Sequence, residues 1–489
     1  MPAAEKVPSI AVIGGGITGL AAAYALQGKA RQSGLPLSVT LFEGSSRLGG
    51  KILTEQAGEF TVDGGPDSVF QQKPWTSQLA ETLGLETDLI GTSPVQRKLY
   101  VVNHGRLTPV PDGVMMIIPT RFMPFVTSPL ISWPGKLRMG LDLFIPGRKD
   151  DEDESLGHFI RRRLGQEALD KIAEPLMAGI HVSDPEEQSL LGTFPRYRAM
   201  EKQYGSLIRG MLAQKRAARA RRQPAAHPDG PAWKRSAFVS FRGGMGQLVA
   251  ALEKALSGVA LRFGSPVTGL QPLADGGYRV TAGSGPAQTF DAVVLAAPAF
   301  AAAGLVASFA PDLAAGLRDI RYVSTATVSL GYRSADWGEA FSGIGFLVPQ
   351  RESRQVSACT MSSLKFEHRA PEGSLLLRCF VGGPGREEAL ERSDAEIIAS
   401  ARAELADLMG VRAEPVMARV FRWAQGNAQY DVGHLDRVRQ IKAGCPPGLY
   451  LAGSAYEGVG VPDCIHQGQQ AASAAWDHLA ILKERQVSA

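Results

Sequence analysis

The chain has 489 residues, 44% hydrophobic and 20% charged, enough to bury a large core and to divide into two or three domains. Its 52 basic and 48 acidic groups leave a formal net charge of +4, too even a balance for the dense basic face of a nucleic-acid binder. Four cysteines, Cys359, Cys379, Cys445 and Cys464, lie far apart without a C-x-x-C pair, which argues against a disulfide framework and against zinc and fits a reducing compartment such as the cytoplasm.

The first residues, "MPAAEKVPSIAVIGGG", lack the charged, apolar and small-residue succession of a secretory signal. They lead instead into a short β-branched run, Ile10 to Ile13, followed by Gly14-x-Gly16-x-x-Gly19 and an alanine-rich helical pattern. Strand, turn and helix in that order form the dinucleotide fingerprint. Gly14 permits the tight turn, Gly16 admits backbone close to a pyrophosphate, and Gly19 lets helix pack on strand; Gly15 and Thr18 share the turn. A pyrophosphate at the helix start meets free N–H groups and the positive end of the dipole. The next strand, "LSVTLFE", ends in Glu43, a carboxylate able to accept from the ribose hydroxyls of an adenosine. Beyond it come Arg47, Gly49-Gly50-Lys51 and then Asp63-Gly64-Gly65-Pro66-Asp67-Ser68, loops that a nicotinamide site does not need. The longer FAD does need them, because further backbone N–H groups must meet its pyrophosphate and ring oxygens.

No stretch offers the roughly 18 uninterrupted apolar residues of a spanning helix. The nearest is Gly113 to Gly147, apolar, broken by prolines and carrying Arg121, Lys136 and Arg138. Two readings stand side by side: a patch lying in a membrane interface, with its cations toward anionic headgroups, or a helical lobe over its own core. "GRKDDEDES" reads as a charged surface turn, and Gln214 to Arg235 as a basic helix end followed by a Pro-rich loop. "SAFVSFRGGMGQLVAAL" gives another strand, glycine turn and helix, and "AVVLAAPAFAA" a strand into Pro298. Near the end, "LYLAGS" is a strand, Gly458-Val459-Gly460-Val461 a turn, and a last helix starts at about Asp463. Its N-terminus would bring a second set of free N–H groups to the same cofactor. His181, His434 and His466 are scattered and read as structural; no metal site and no obligatory acid–base pair emerge.

The Arg47-x-Gly49-Gly50-Lys51 loop resembles the R-x-G-G-R loop of the flavoprotein amine oxidase superfamily, with a lysine in the last place. Within it, "QRKLYVV", "EPLMAGIHVSDPEEQSL", "GIGFLVP", "SSLKFEHRAPEG", "FRWAQGNAQYDVGHLDR" and "YEGVGVPDCI" resemble the protoporphyrinogen oxidase family, in order and over nearly the whole chain. The departures are Ala178 where the family carries Gly or Thr, and "NAQY" where it has "IPQY".

The resemblance implies an α/β fold. A Rossmann-like FAD-binding domain is assembled from discontinuous segments (8–90, 236–300, 417–485), with an α+β substrate domain (91–97, 211–235, 301–416) and a mainly helical, membrane-associated lobe (98–210). It implies noncovalent FAD held by Gly14, Gly15, Gly16, Thr18, Gly19, Glu43, Arg47, Gly50, Lys51, Gly65, Pro66, Asp67, Ser68, Val267, Trp423, Val459, Gly460 and Val461. It places a porphyrinogen at Gly179, Leu347 and Phe366, with Arg97, or else Lys98, on a propionate. Six electrons would leave in three hydride steps to the flavin, with oxygen as reoxidant. Protoporphyrinogen IX is the first substrate expected and coproporphyrinogen III its rival. An amine oxidase or desaturase, and a protein keeping FAD only for structure, are the other readings. A membrane surface and a second copy of the chain are the partners left open.

Overall fold

The computed structural model describes residues 7–95, 98–112, 114–115, 118–119, 122–220, 231–274, 276–337, 341 and 343–488. The opening strand Ser9–Ile13 is central to a five-stranded parallel sheet in the order Ala260–Arg262, Ser38–Phe42, Ser9–Ile13, Ala292–Leu295, Leu449–Leu451. Its side chains alternate between two cores. Ile10 and Val12 meet the opening helix Ile17–Ser33, the helix Gly246–Ala255 and the closing helix Val461–Ser488. Ala11 and Ile13 meet the three-stranded sheet of Val267–Pro272, Tyr278–Ala282 and Gln288–Phe290, with the helices Ala299–Val306 and Pro311–Arg318. Burial on both faces is why the strand reads as one unbroken apolar run.

The closing helix lies against the opening helix. At Gly468 a Cβ would come within 2.3 Å of the Thr18 carbonyl oxygen, so a glycine is what permits that approach. The last segment of the chain thereby reaches the first glycine turn.

A second, seven-stranded sheet runs in the order Met417–Ala428, Tyr322–Arg333, Ser374–Gly382, Val356–Thr360, Gly345–Leu347, Leu99–Asn103, Arg106–Pro109. One face packs on the helix Asp394–Met409. The sheet extends past the limits expected for the substrate unit, taking in Leu99–Asn103 and Arg106–Pro109 from the segment expected to form the helical lobe and Met417–Ala428 from one expected to bind FAD. Their backbone groups are satisfied by pairing with strands distant in sequence, and such pairing leaves no local sign.

The helical lobe includes Trp133–Gly140, Leu156–Leu164, Glu174–His181, Pro195–Tyr204 and Leu207–Ala220. Its core takes in Val101, Leu347 and Ala358, which seats the lobe on the other face of the sheet. Lys136 and Arg138, read as cations for a headgroup surface, turn inward: Lys136 donates to the carbonyls of Val126 and Ser128, Arg138 to those of Arg161, Arg162 and Arg163. A cation beside unpaired helix-end carbonyls binds them sooner than a distant anion. Arg121 lies outside the described residues. Among the described residues no helix is long and apolar enough to cross a membrane.

Candidate active site: a flavin cradle

The glycine turn is built as its sequence requires. Gly14 has a φ of +109°, and a Cβ at Gly19 would sit 1.9 Å from the Gly14 carbonyl oxygen, so neither position accepts a side chain. Gly16 differs, because a Cβ there meets nothing within 4 Å. It opens the helix Ile17–Ser33 with no side-chain cap and no acidic residue in the first turn, leaving amide donors for an anion. Glu43 stands beside the turn: Oε2 accepts from Gly15 N–H at 2.7 Å, and Oε1 from the Ser45 N–H at 2.8 Å and hydroxyl at 2.7 Å. Val267 begins a strand directly after a loop tied to this acid, with Ser265 N–H donating to the Glu43 carbonyl.

The other loops close around it. Gly49 N–H donates to the Gly15 carbonyl, and Gly50, at φ +56°, would place a Cβ 3.2 Å from Gly16 Cα. The Arg47 guanidinium holds its own loop through the carbonyls of Leu48, Gly50 and Ile52. Lys51 follows, and burial lowers its ammonium from the ordinary lysine range. The Lys51 carbonyl lies so near Gly65 that a Cβ there would be 1.8 Å away. Trp423 donates from Nε1 to the Gly64 carbonyl at 2.9 Å, which places its indole against the same loop.

Val459 and Gly460 form the turn into the closing helix, and Val461 is its first residue. Gly458 N–H donates to the Tyr430 hydroxyl, and Tyr430 stacks on the buried His434, whose Nε2 pairs with the Tyr456 carbonyl. Burial keeps His434 below the ordinary histidine range, as suits a prop rather than a proton carrier. Asp463, in the first helical turn, is neutralised by Lys73 at 2.7 Å.

Sequence reasoning missed the charged floor of this cradle. Asp67 pairs with Lys365 at 3.0 Å and with Arg378 at 3.3 Å, and Asp63 with Arg369 at 3.3 Å. Burial alone would raise the Asp67 carboxyl; the Lys365 ammonium and the Arg378 guanidinium outweigh it and hold the group well below the usual carboxylate range. At Asp63 burial wins over Arg369, and the pKa rises. One sign was readable: an arginine in "SLLLRCFVG" interrupts an apolar strand, and a buried cation needs partners.

The expected substrate residues are less convergent. Leu347 is buried in the core shared by sheet and lobe, whereas Phe366 lies between Lys365 and Arg369, their charges 5.1 and 5.6 Å from its ring, in the charged floor. Gly179 lies in the helix Glu174–His181, and its surroundings are not described. Arg97 lies outside the described residues; Lys98 is exposed.

Segments from both ends and the middle of the chain thus lie against one another around the first glycine turn, with open backbone and amide donors at the turn and the buried cations Arg369 and Arg378 nearby, a set of residues that fits FAD. The profile of the family described as flavin containing amine oxidoreductase matches residues 17–475. A coproporphyrinogen III oxidase of Bacillus subtilis is 36% identical over 96% of this chain and 98% of its own length. The chloroplastic protoporphyrinogen oxidase 1 of Spinacia oleracea is 29% identical over 97% and 85%. A crystal structure from Exiguobacterium sp. 255-15, provisionally described as a protoporphyrinogen oxidase, superposes with a TM-score of 0.82 at 31% identity, covering 98% of this chain and 100% of that one. The chain belongs to the flavin-containing amine oxidoreductase family and is an FAD-dependent oxidoreductase.

Proposed function

We propose that this protein oxidises a porphyrinogen to the corresponding porphyrin, a six-electron reaction of tetrapyrrole synthesis. The observation that carries the reading is full-length similarity to porphyrinogen oxidases. FAD, when bound, supplies hydride acceptance. The chain's own part is to hold the ring flat and dry beside it. Leu99, Val101, Leu347, Ala358 and Phe380 lie along or against the core between sheet and lobe, on the side of the sheet from which Thr327 and Arg378 reach the flavin loop. Arg97, with Lys98 as the alternative, would fix a propionate at the start of the strand Leu99–Asn103, and Gly179, Leu347 and Phe366 would border the macrocycle.

The relative named for coproporphyrinogen III stands at 36% identity and the spinach one named for protoporphyrinogen at 29%, so identity favours the more carboxylated ring. Protoporphyrinogen IX remains the second reading on the strength of the plant similarity. Holoenzyme mixed anaerobically with each porphyrinogen should lose its yellow absorption with the true substrate. Admitting air should then yield fluorescent porphyrin and consume three oxygen molecules per ring. Inactivity on both rings overturns the proposal.

The lobe also supports a peripheral membrane site on the cytoplasmic side. Trp133, Leu137 and Leu141 recur every four residues, and with Met123 and Phe144 they stand in solvent, Leu137 and Phe144 at 72% and 78% exposure. Side chains of this kind on one helical face enter an acyl boundary. The L137S/F144S variant should lose cosedimentation with phospholipid vesicles while keeping its flavin absorption; equal sedimentation of variant and wild type refutes the membrane reading.

A further inference from the structure

Between the loop Asp63-Gly64-Gly65-Pro66-Asp67-Ser68 and the seven-stranded sheet lies a cavity of about 10 Å³, room for the centre of one water-sized molecule. Asp63, Asp67, Arg369 and Arg378 line it, with the hydroxyl-bearing Ser329 and Ser362. Apart from Asp67, each of these is less than one tenth exposed, so the cavity is closed to a macrocycle.

Among the described residues, two of its polar atoms have no hydrogen-bond partner, Asp63 Oδ2 and Arg378 Nε. The neighbouring contacts explain both. Asp63 Oδ1 accepts from the Thr54 hydroxyl at 2.5 Å and from the Met245 N–H at 3.0 Å. Arg369 Nη2 stands 3.3 Å from Oδ2, but its two hydrogens go to the Ser240 hydroxyl at 2.7 Å and the Phe241 carbonyl at 3.1 Å. The charge on Oδ2 is matched and its lone pairs are not. Arg378 directs Nη1 to the carbonyls of Asp63 and Gly65 and pairs Nη2 with Asp67 at 3.3 Å, which leaves Nε–H over. Buried charged groups short of a hydrogen bond are costly.

These groups narrow the occupant that would satisfy them. One orphan accepts and the other donates, so the occupant must do both. Two carboxylates face two guanidiniums, so the wall is balanced and favours neither a cation nor an anion. We propose that the cavity is a binding site for one water molecule, which accepts from Arg378 Nε, donates to Asp63 Oδ2 and gives its second hydrogen to the Ser329 or Ser362 hydroxyl. It joins the Asp63–Arg369 pair to the Asp67–Arg378 pair, so that two acids of the loop belong to one network.

The test is a crystal structure of the FAD-bound protein at a resolution that shows ordered water. One peak should stand about 2.7–3.2 Å from both Asp63 Oδ2 and Arg378 Nε. A cavity without a peak overturns the proposal. So does a peak that takes up bromide when bromide replaces chloride in the crystal, the mark of an anion, and so does xenon entering under pressure, the mark of a dry cavity. Two variants locate the peak. S329A widens the cavity and should keep it, whereas S329V brings in two methyl groups and should lose it; a peak at full strength in S329V overturns the assignment. If S329V fails to fold, S329A and the wild type still decide, because each must contain the peak. No porphyrinogen enters these crystals, so failure here is separate from a failure of the substrate assignment.

Discussion

Single residues in the cradle divide into those that fold the turn and those that only leave room. Gly19 has a carbonyl oxygen 1.9 Å from where a side chain would begin; Gly16, with φ −68°, has nothing within 4 Å. G16V should therefore fold as the wild type does yet bind FAD at least about tenfold more weakly, a difference of about 1.4 kcal/mol, read by flavin fluorescence on titration. Normal affinity would mean that the pyrophosphate does not approach this turn. A second residue-scale expectation concerns Glu174, whose carboxyl burial pushes up to about 7 against hydrogen bonds from the Gln350 N–H at 3.2 Å. A free glutamate titrates near 4.5, so between these values the folded protein keeps a proton that the unfolded chain has released. Stability from this group is greatest below that window and falls as pH rises through it, by about 1–3 kcal/mol in all. Urea midpoints of E174Q should lack that fall, and an unchanged pH slope would show that Glu174 ionises normally in the fold.

At the scale of elements, the site is made by ends that touch. The closing helix reaches the glycine turn because Gly468 lets it lie against Thr18, 2.3 Å being all that a Cβ would have. G468V should push the two helices apart, lower stability by about 1–3 kcal/mol and release FAD; chemical denaturation and flavin retention on gel filtration report both. Elements with a local cause were readable in advance. The opening strand, the glycine turns and the last helix each carry their own residues for turning, capping or burial. The charged floor was not, because Asp63, Asp67, Lys365, Arg369 and Arg378 come from two distant stretches and become a cluster only when strands pair. Lys136 and Arg138 show the same limit: the sequence supplied two cations, and folding chose carbonyls for them.

Over the whole molecule, FAD bound at the proposed cradle would join segments that the chain keeps far apart, and binding should therefore stabilise all of them together. At free FAD of a hundred times its Kd, the expected gain is about 2.7 kcal/mol, seen by calorimetry as a higher unfolding temperature. No shift would mean that these segments do not share a ligand. The sequence by itself determined the FAD-binding halves, the family and the class of chemistry, because glycine turns, strand ends and helix starts act over a few residues and stay legible there. It also set the order of pieces along the chain. Only the tertiary structure decided that the strand Met417–Ala428 joins the seven-stranded sheet, that Phe366 lies among buried ions while Leu347 packs under the lobe, and that Arg378 grips the carbonyls of Asp63 and Gly65. Those outcomes depend on which backbone groups and charges find partners across long separations. That choice is made by burial and pairing together, and no single stretch of chain contains it.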